Sequence, residues 1–430
     1  MSPENHPLSR RSLLLAGAGG LALGASGVAE LPALAATARR SSLTRYSGTG
    51  FTGGHNGTAA TTAGLLFSRS VVLQRWNDVH TGRRLTFELA QWTGPVVNTG
   101  YAATELVASW NAATPVGTAV RIKLRARNAA GTWSRWFDMA LWGSSSANAT
   151  SPTRTTYNGQ SDAVARVATD TLKAVAGTSL TGFQLRIDLL RSKGVTAKPV
   201  VRQAAVVAST TPQSSTPVSP VGVARSTALA VPAYSQMLHV GHYPAWNGGG
   251  EAWCSATSVA MVLDFWKKGA SAAETAWVRP TPHTNPQVEQ VVRGVWDAGY
   301  KGTGNWPFNV AYAHARGLSG FVTRLRSLTE AELFIKAGIP LVVSTSFSSS
   351  QLSGAGFGTN GHLMVIKGFD ASGNVRVNDP ASSLKASNAL VPRTYNRAQF
   401  ESAWGRSGGL AYVIHPAGRT LPAKPAGAAW

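Results

Sequence analysis

One cysteine offers the most specific chemistry in this sequence. Cys254 is the single cysteine of the 430-residue chain, and a helix-like apolar run is predicted from Ser255 to Lys268. A lone thiol excludes an internal disulfide framework and a zinc site built on several cysteines. Unpaired backbone N–H groups at a helix start favour a thiolate. Cys254 is therefore a candidate nucleophile; the alternative is a small buried side chain that only fills space.

A thiol nucleophile needs a base, and His362 is the candidate because it opens the predicted strand 362–369. Asn378 and Asp379 both follow the next predicted strand and could orient the imidazole. Strand alternation puts Asp379 on the face of the apolar Val377, so Asp379 is preferred. The alternatives are a packed core histidine and an ordinary turn at Asn-Asp-Pro.

Gln236 is the candidate second donor for an oxyanion. Its side-chain amide, with the backbone N–H of Cys254, could stabilise the tetrahedral oxyanion of acyl transfer; a surface glutamine is the alternative. The aromatic, glycine-rich loop 241–250 is expected to border the cleft. Trp246 and Trp253 are the predicted substrate contacts.

Two histidines, His239 and His242, lie around the start of this loop and are candidate metal ligands. Such a site would need carboxylates close by, and Glu251 is the one near these histidines in the sequence. The sequence therefore predicts no metal and no cofactor.

The candidate residues lie in motifs that occur in a fixed order. The motifs are Pro-x-Tyr-Ser-Gln at 232–236, Trp-Cys at 253–254, Gly-His at 361–362 and Asn-Asp-Pro at 378–380. Together they resemble the C39-like cysteine peptidases of the papain-like fold over roughly residues 229–416. The resemblance implies that Cys254 attacks, His362 is the base, Asp379 orients the imidazole and Gln236 helps to bind the oxyanion. Ser255 departs from the family, which usually has glycine after the nucleophile.

The elements around these motifs predict an α+β domain. Helices are expected over Ser255–Lys268, Pro286–Ala298 and Phe308–Arg316, with a capping box at Thr329–Glu332 opening a short helix. Strands are expected over Pro340–Phe347, His362–Phe369, Asn374–Asn378 and Ala411–His415. This order, helices before an antiparallel sheet, is typical of a separate domain with its own core.

The front half has a different pattern. Val120, Ile122, Leu124 and Ala126 alternate with Arg121, Lys123, Arg125 and Arg127. Such alternation, bounded by turn residues, predicts an antiparallel, jelly-roll-like β-sandwich. The expected organisation is a twin-arginine signal peptide at 1–38, a β-sandwich accessory domain at 42–209, a Pro/Ser/Thr-rich linker at 210–228, a C39-like papain-fold catalytic domain at 229–417 and a C-terminal tail at 418–430.

The formal net charge of +21 bears on which partners the protein could bind. It arises from 40 Lys plus Arg against 19 Asp plus Glu. The four cations of the alternating stripe, Arg121, Lys123, Arg125 and Arg127, are candidates for binding an anionic cell-wall polymer or glycan; a solvated sheet face is the alternative. No nucleic-acid recognition motif accompanies the charge, so specific nucleic-acid binding is not expected.

The leading hypothesis is an exported cysteine peptidase that hydrolyses peptide bonds in a peptide or protein substrate. Arg10 and Arg11 precede a short apolar run, which indicates a secreted or cell-wall-associated protein without stable membrane insertion. Two alternatives stay open: a wall- or glycan-binding protein with an inactive peptidase-like domain, and an amidase acting on peptidoglycan stem peptides.

Overall fold

The computed structural model describes residues 39–145, 149–210 and 217–430. The predicted signal peptide, residues 1–38, lies outside the described residues. No helix within the described ranges is long and apolar enough to cross a membrane.

The front half of the described chain consists of strands. They are β1 (Ser41–Ser47), β2 (Gly54–Asn56), β3 (Thr58–Thr61), β4 (Gly64–Phe67), β5 (Val72–Asn77), β6 (Arg84–Thr93), β7 (Val97–Ala103), β8 (Glu105–Ala113), β9 (Thr118–Asn128), β10 (Phe137–Trp142), β11 (Thr155–Thr156), β12 (Ala165–Ala168), β13 (Thr171–Ala174), β14 (Leu180–Ser192) and β15 (Val200–Ser209). One antiparallel sheet has the order β12-β13-β8-β15-β4-β3, with β1 on β15. The other has the order β11-β10-β9-β14-β6-β2, with β5 on β6 and β7 on β14.

Side-chain alternation explains why these sheets face each other. The even-numbered apolar residues of β9, including Ile122 and Leu124, are buried. They share one core with Trp92 of β6 and Trp110 of β8, which belong to different sheets. Two antiparallel layers around a common core are what the predicted sandwich requires.

The second half mixes helices and strands. Its helices are α1 (Cys254–Phe265), α2 (Ala272–Thr275), α3 (Gln287–Val295), α4 (Trp306–Ala315), α5 (Leu328–Lys336) and α6 (Arg397–Arg406). Its strands are β16 (Thr227–Ala228), β17 (Leu318–Arg324), β18 (Leu341–Phe347), β19 (Thr359–Phe369), β20 (Val375–Asn378), β21 (Pro392–Tyr395) and β22 (Leu410–Pro416). They form an antiparallel sheet of order β17-β22-β18-β19-β20-β21, with β16 on β19.

This sheet is covered on both faces, which explains its apolar central strand. Leu363 and Val365 of β19 belong to the core that contains α1. Met364 and Ile366 belong to the core that contains α5 and α6. A strand that is buried on both sides has no polar face, so the sequence of β19 contains a continuous hydrophobic run.

The start of α5 corrects one expectation. Ser327, and not Thr329, is the N-cap residue, and its hydroxyl accepts a hydrogen bond from the Glu330 backbone N–H. Leu328 is fully buried in the first turn, so the helix begins two residues before the predicted capping box. Glu332 is used elsewhere: its carboxylate accepts from the backbone N–H groups of residues 222 and 224.

The described part of the predicted linker is bound to the second half. The Arg397 guanidinium donates to the carbonyls of Ser219 and Pro220 at 2.9 and 2.7 Å. Residues 227–228 add strand β16 to the edge of β19. Residues 217–228 therefore pack against the sheet rather than span a gap.

The two halves also contact each other directly. Phe308 of α4 packs against Trp110 and Trp142 of the front sheets, with ring centroids 6.1 and 5.2 Å apart. Arg324 at the end of β17 donates to Glu105 at the start of β8 at 2.5 Å, and both side chains are buried. Burying a charge requires a partner, so this ion pair holds the two halves in one arrangement.

Candidate active site

Cys254 is the first residue of α1, as the sequence predicts for a helix-start thiol. Its sulfur interacts with the His362 imidazole and with the backbone N–H groups of Ser255 and Leu363. Burial alone would raise the pKa of this thiol, but the His362 hydrogen bond and charge outweigh it, so the pKa is lowered. The arrangement favours a thiolate.

His362 lies near the start of β19 and joins two groups. Its Nε2 is 2.7 Å from Asp379 Oδ1, which leaves Nδ1 for the thiol. Burial acts to lower the imidazole pKa, but the Asp379 charge and hydrogen bond, together with Cys254, raise it to about 10. The lowered thiol pKa and the raised imidazole pKa both favour an ion pair of thiolate and imidazolium.

Asp379 is completely buried, and its carboxylate accepts three hydrogen bonds. Oδ1 accepts from His362 Nε2 and from the Ala381 backbone N–H at 3.0 Å. Oδ2 accepts from the Tyr395 hydroxyl at 2.7 Å. Burial opposes ionisation, but the His362 charge and these hydrogen bonds prevail and lower the pKa of Asp379. Sequence reasoning missed Tyr395, because nothing in its local motif points to Asp379.

Asn378 faces the other way, as strand alternation predicts. Its Nδ2 donates to the carbonyls of Val231 and Pro232 at 3.1 and 2.8 Å. These bonds hold the segment that leads to Gln236, and the Gln236 backbone N–H donates to the Pro380 carbonyl. Asn378 therefore positions a neighbouring segment, while Asp379 contacts the imidazole.

Gln236 lines the cleft beside Cys254 but has its donors engaged. Its Nε2 donates to the carbonyls of Gly250 and Glu251, each at 2.9 Å. Its Oε1 is buried with no hydrogen-bond partner among the described residues. The side chain thus supports the short 3-10 helix Gly250–Ala252 that leads into Cys254.

The cleft itself has a volume of about 430 Å³ and is lined by both halves of the chain. Cys254 and His362 lie in one wall, whereas Glu105 and Lys173 come from the front half. Lys173 Nζ is 2.9 Å from Glu105 Oε1. Nothing in the sequence indicated that the front half contributes residues to the cleft, since that half was expected only to recognise a separate partner.

Of the two tryptophans predicted to contact substrate, the structure removes Trp253 from the cleft surface. Trp253 is completely buried, and its indole N–H donates to the Trp246 carbonyl at 2.8 Å. Trp246 stacks on Tyr243 and meets Trp277 edge to face, and it is not among the residues that line the cleft. Trp253 is therefore a core residue, whereas Trp246 is partly exposed among other aromatic rings.

Ser255, the departure from the family pattern, points away from the cleft. Its hydroxyl is 3.0 Å from the Tyr412 hydroxyl, and the residue is fully buried. The extra side chain therefore occupies the core behind α1 and leaves the approach to Cys254 open.

The cationic stripe on β9 is also corrected. Arg121 is buried and binds Asp188 at 2.7 Å, and Lys123 is 2.9 Å from Asp138. The other two basic residues have neutral partners: Arg125 lies over Trp133 and Trp136 and bonds Gln184, and Arg127 bonds Asn98. Half of the expected free charge is therefore neutralised within the domain, and Arg125 and Arg127 keep charges that no carboxylate pairs among the described residues.

The loop histidines have partners that lie far away in the sequence. Glu289 of α3, and not Glu251, provides the carboxylate near His239 and His242, and His283 joins them. Glu251 instead lines the cleft.

Comparison with protein families agrees with this division of the chain. Residues 42–209 match the model of the peptidase C39 N-terminal domain, and residues 228–412 match the model of the peptidase C39-like family. No curated protein matches the chain. The matches span the strand-rich region and the mixed α/β region that carries Cys254 and His362. The chain therefore belongs to the C39-like peptidase family.

Proposed function

We propose that this protein is a cysteine peptidase that hydrolyses peptide bonds with Cys254, His362 and Asp379. The observation that carries the proposal is the continuous contact from the partly exposed thiol through the buried imidazole to the buried carboxylate. A cysteine at a helix start facing a histidine on a sheet also supports a papain-like fold for residues 229–417. Asp379 acts through His362 and does not touch the substrate.

The proposed reaction uses the ion pair directly. The Cys254 thiolate attacks the carbonyl carbon and forms a carbon–sulfur bond, and the π electrons move to the oxygen. His362 then gives its proton to the leaving amine as the carbon–nitrogen bond breaks. Neutral His362 next takes a proton from water, which attacks the thioester and releases the carboxylic acid and Cys254.

The oxyanion needs donors, and two are proposed. The first is the Cys254 backbone N–H, which lies in the first turn of α1 and has no intrahelical partner. The second is Gln236 Nε2, which would exchange its Gly250 or Glu251 carbonyl for the oxyanion. Substrate binding would thus loosen one bond that holds residues 250–252.

The front domain is proposed to shape substrate binding rather than only to target the protein. Glu105 and Lys173 form part of the cleft wall, and Arg324 joins them through Glu105. These two cations and one carboxylate sum to +1, so this wall carries little net charge. The proposed substrate is therefore a peptide held mainly through its backbone.

A single-thiol protein allows a direct test. Cys254 is the only cysteine, so all iodoacetamide labelling reports on the site. The proposal expects rapid labelling below pH 8 and cleavage of peptides in a proteome-derived mixture, detected by mass spectrometry. Cys254→Ser is the matched control and should abolish cleavage.

The outcomes separate the open alternatives. Slow labelling that His362→Ala leaves unchanged would indicate an inactive, binding-only domain. Cleavage of peptidoglycan fragments without cleavage of linear peptides would indicate an amidase. Either result would overturn the peptidase proposal.

We also propose that the protein is exported by the twin-arginine pathway to the cell exterior or wall. The support is the Arg10–Arg11 pair before a short apolar run. Replacing both arginines by lysine should retain the protein inside the cell. N-terminal sequencing of exported wild-type protein should find cleavage near residue 38, and export of the double variant at the wild-type level would contradict the proposal.

A further inference from the structure

Four side chains outside the proposed catalytic site converge on one point. They are His239, His242, His283 and Glu289, and one ligand atom from each lies within 4.8 Å of all the others. Glu289 Oε1 is 2.6 Å from His239 Nδ1, 3.3 Å from His242 Nδ1 and 3.1 Å from His283 Nε2. His242 Nδ1 and His283 Nε2 are themselves 2.8 Å apart.

With Glu289 ionised, no placement of protons satisfies all of these contacts. His283 Nδ1 is 2.7 Å from the Thr284 carbonyl, so it carries a proton, and in the neutral ring Nε2 is bare. The bare Nε2 can accept from His242 Nδ1–H, but its lone pair then faces Glu289 Oε1. If His283 is protonated at both nitrogens, His242 Nδ1 must be bare to accept from it, and that lone pair faces Glu289 Oε1 instead.

Burial makes this conflict costly. His239 and Glu289 are both 0% exposed. His239 Nε2 and Glu289 Oε2 have no hydrogen-bond partner within the described part of the chain. Buried polar atoms are normally paired, so the protein groups alone leave this cluster unsatisfied.

We propose that these four side chains bind a Zn²⁺ ion. A cation between the donors removes the lone-pair conflict, because every donor then points its lone pair at the metal. Zinc bonds nitrogen at about 2.0–2.1 Å in a tetrahedron, which places neighbouring ligand atoms about 3.3 Å apart. Four of the six separations within the cluster lie between 2.6 and 3.3 Å, and all six are within 4.8 Å, so the donors already lie near that spacing.

The donor set selects the metal class. Three imidazoles and one carboxylate oxygen suit zinc and its neighbours in the first transition row, whereas calcium and magnesium require mainly oxygen ligands. The hydrogen bond from His283 Nδ1 to the Thr284 carbonyl is the outer contact that a ligating imidazole usually makes. Four protein ligands also close the coordination sphere, which is typical of a structural and not a catalytic zinc site.

The metal would brace a segment that ends at the cleft. His239 closes the short 3-10 helix that begins at Gln236, and its ring lies 6.2 Å from the ring of Trp253, the residue before Cys254. Glu289 belongs to α3. A bound ion would therefore tie the chain between Gln236 and Cys254 to α3. This inference does not rest on the peptidase proposal.

The test begins with the full-length wild-type protein. Metal analysis after purification should find one zinc per chain, and chelation followed by ZnCl₂ titration should restore one equivalent. At about a hundredfold excess over Kd, zinc should raise the thermal midpoint by roughly 5–10 °C. Co²⁺ in place of zinc should give the visible absorption of a tetrahedral site.

Variants assign the site to these residues. His242→Ala changes the most exposed of the four ligands, and Glu289→Gln keeps the side-chain shape; each should weaken zinc binding at least tenfold. His314→Ala is the control, because this histidine bonds the Leu318 carbonyl outside the cluster and should leave zinc binding unchanged.

Two results would overturn the proposal. One is metal-free wild-type protein that shows neither a thermal shift with ZnCl₂ nor a tetrahedral Co²⁺ spectrum. The other is zinc affinity in His242→Ala or Glu289→Gln equal to that of the wild type. The wild-type measurements decide the matter even where a variant does not fold.

Discussion

Replacing Tyr395 by phenylalanine isolates one hydrogen bond behind the proposed catalytic histidine. The change removes the hydroxyl that donates to Asp379 Oδ2 at 2.7 Å and leaves the ring in the core. Asp379 keeps its bonds from His362 and from the Ala381 backbone, both on Oδ1. The buried Oδ2 then has no donor among the described residues.

The structure sets the size of the effect. A hydrogen bond to a charged group contributes about 1.5–3 kcal/mol. Losing it should lower the free energy of unfolding by that amount, which is a fall of roughly 3–12 °C in the thermal midpoint of a domain of this size. It should also raise the pKa of Asp379, because the hydroxyl stabilises the ionised carboxylate.

The pH dependence has a definite sign. The pKa of Asp379 is lowered in the folded protein, so its stabilisation is present above the pKa of an unfolded aspartate, about 3.9, and is lost as the pH falls through the folded pKa. The deficit of Tyr395→Phe should therefore be constant from about pH 8 to pH 5. It should narrow at lower pH as the raised pKa of the variant is crossed.

The assay is thermal unfolding of the wild type and of two matched variants across that pH range. Tyr46→Phe is the control, because the Tyr46 hydroxyl is buried without a partner among the described residues and its loss should cost little. Equal midpoints for Tyr395→Phe and Tyr46→Phe would refute the reasoning. So would a Tyr395→Phe deficit that stays constant through acid pH.

Three further predictions concern the cleft and the contact between the halves. In His362→Ala, burial raises the pKa of Cys254 without the opposing imidazolium, so the midpoint of the pH–iodoacetamide curve should move from below 9 to above it; an unmoved midpoint would contradict the ion pair. Gln236→Ala should reduce kcat on a cleaved peptide about 10²–10³-fold with little change in KM, and an unchanged kcat would exclude Gln236 as an oxyanion donor. Arg324→Met leaves Glu105 buried without its arginine and should lower the free energy of unfolding, measured by chemical denaturation, by about 3 kcal/mol. Adding Glu105→Gln should recover most of this loss of stability. An Arg324→Met variant as stable as the wild type would contradict the role of the pair.

Local patterns predicted most of the elements. Strands β9, β18, β19, β20 and β22 begin within about three residues of their predicted starts, and α1 begins one residue early. Alternation along β20 also favoured Asp379 over Asn378, and the contact with His362 lies on Asp379. These predictions worked because side-chain direction within one strand or helix depends only on nearby residues.

Predictions that depended on contacts with residues distant in the sequence were less accurate. Trp253 was expected to contact substrate, but its ring packs inward. The stripe that includes Arg121 and Lys123 was expected to be free, but acidic residues of neighbouring strands pair with both. The sequence shows which residues are neighbours along the chain. It does not show which of their side chains become buried when distant segments pack together.

The sequence by itself determined the elements, the order of the reactive residues and the faces on which they lie, because strand and helix periodicity are local. Only the tertiary structure decided what those residues contact. It brings Tyr395 to Asp379, places Glu105 of the front domain in the cleft, and adds His283 and Glu289 to the loop histidines. These partners lie from 16 residues apart, for Tyr395 and Asp379, to more than 100 apart. Packing of the apolar faces of the sheets and helices determines where they meet, and the local pattern does not specify that packing.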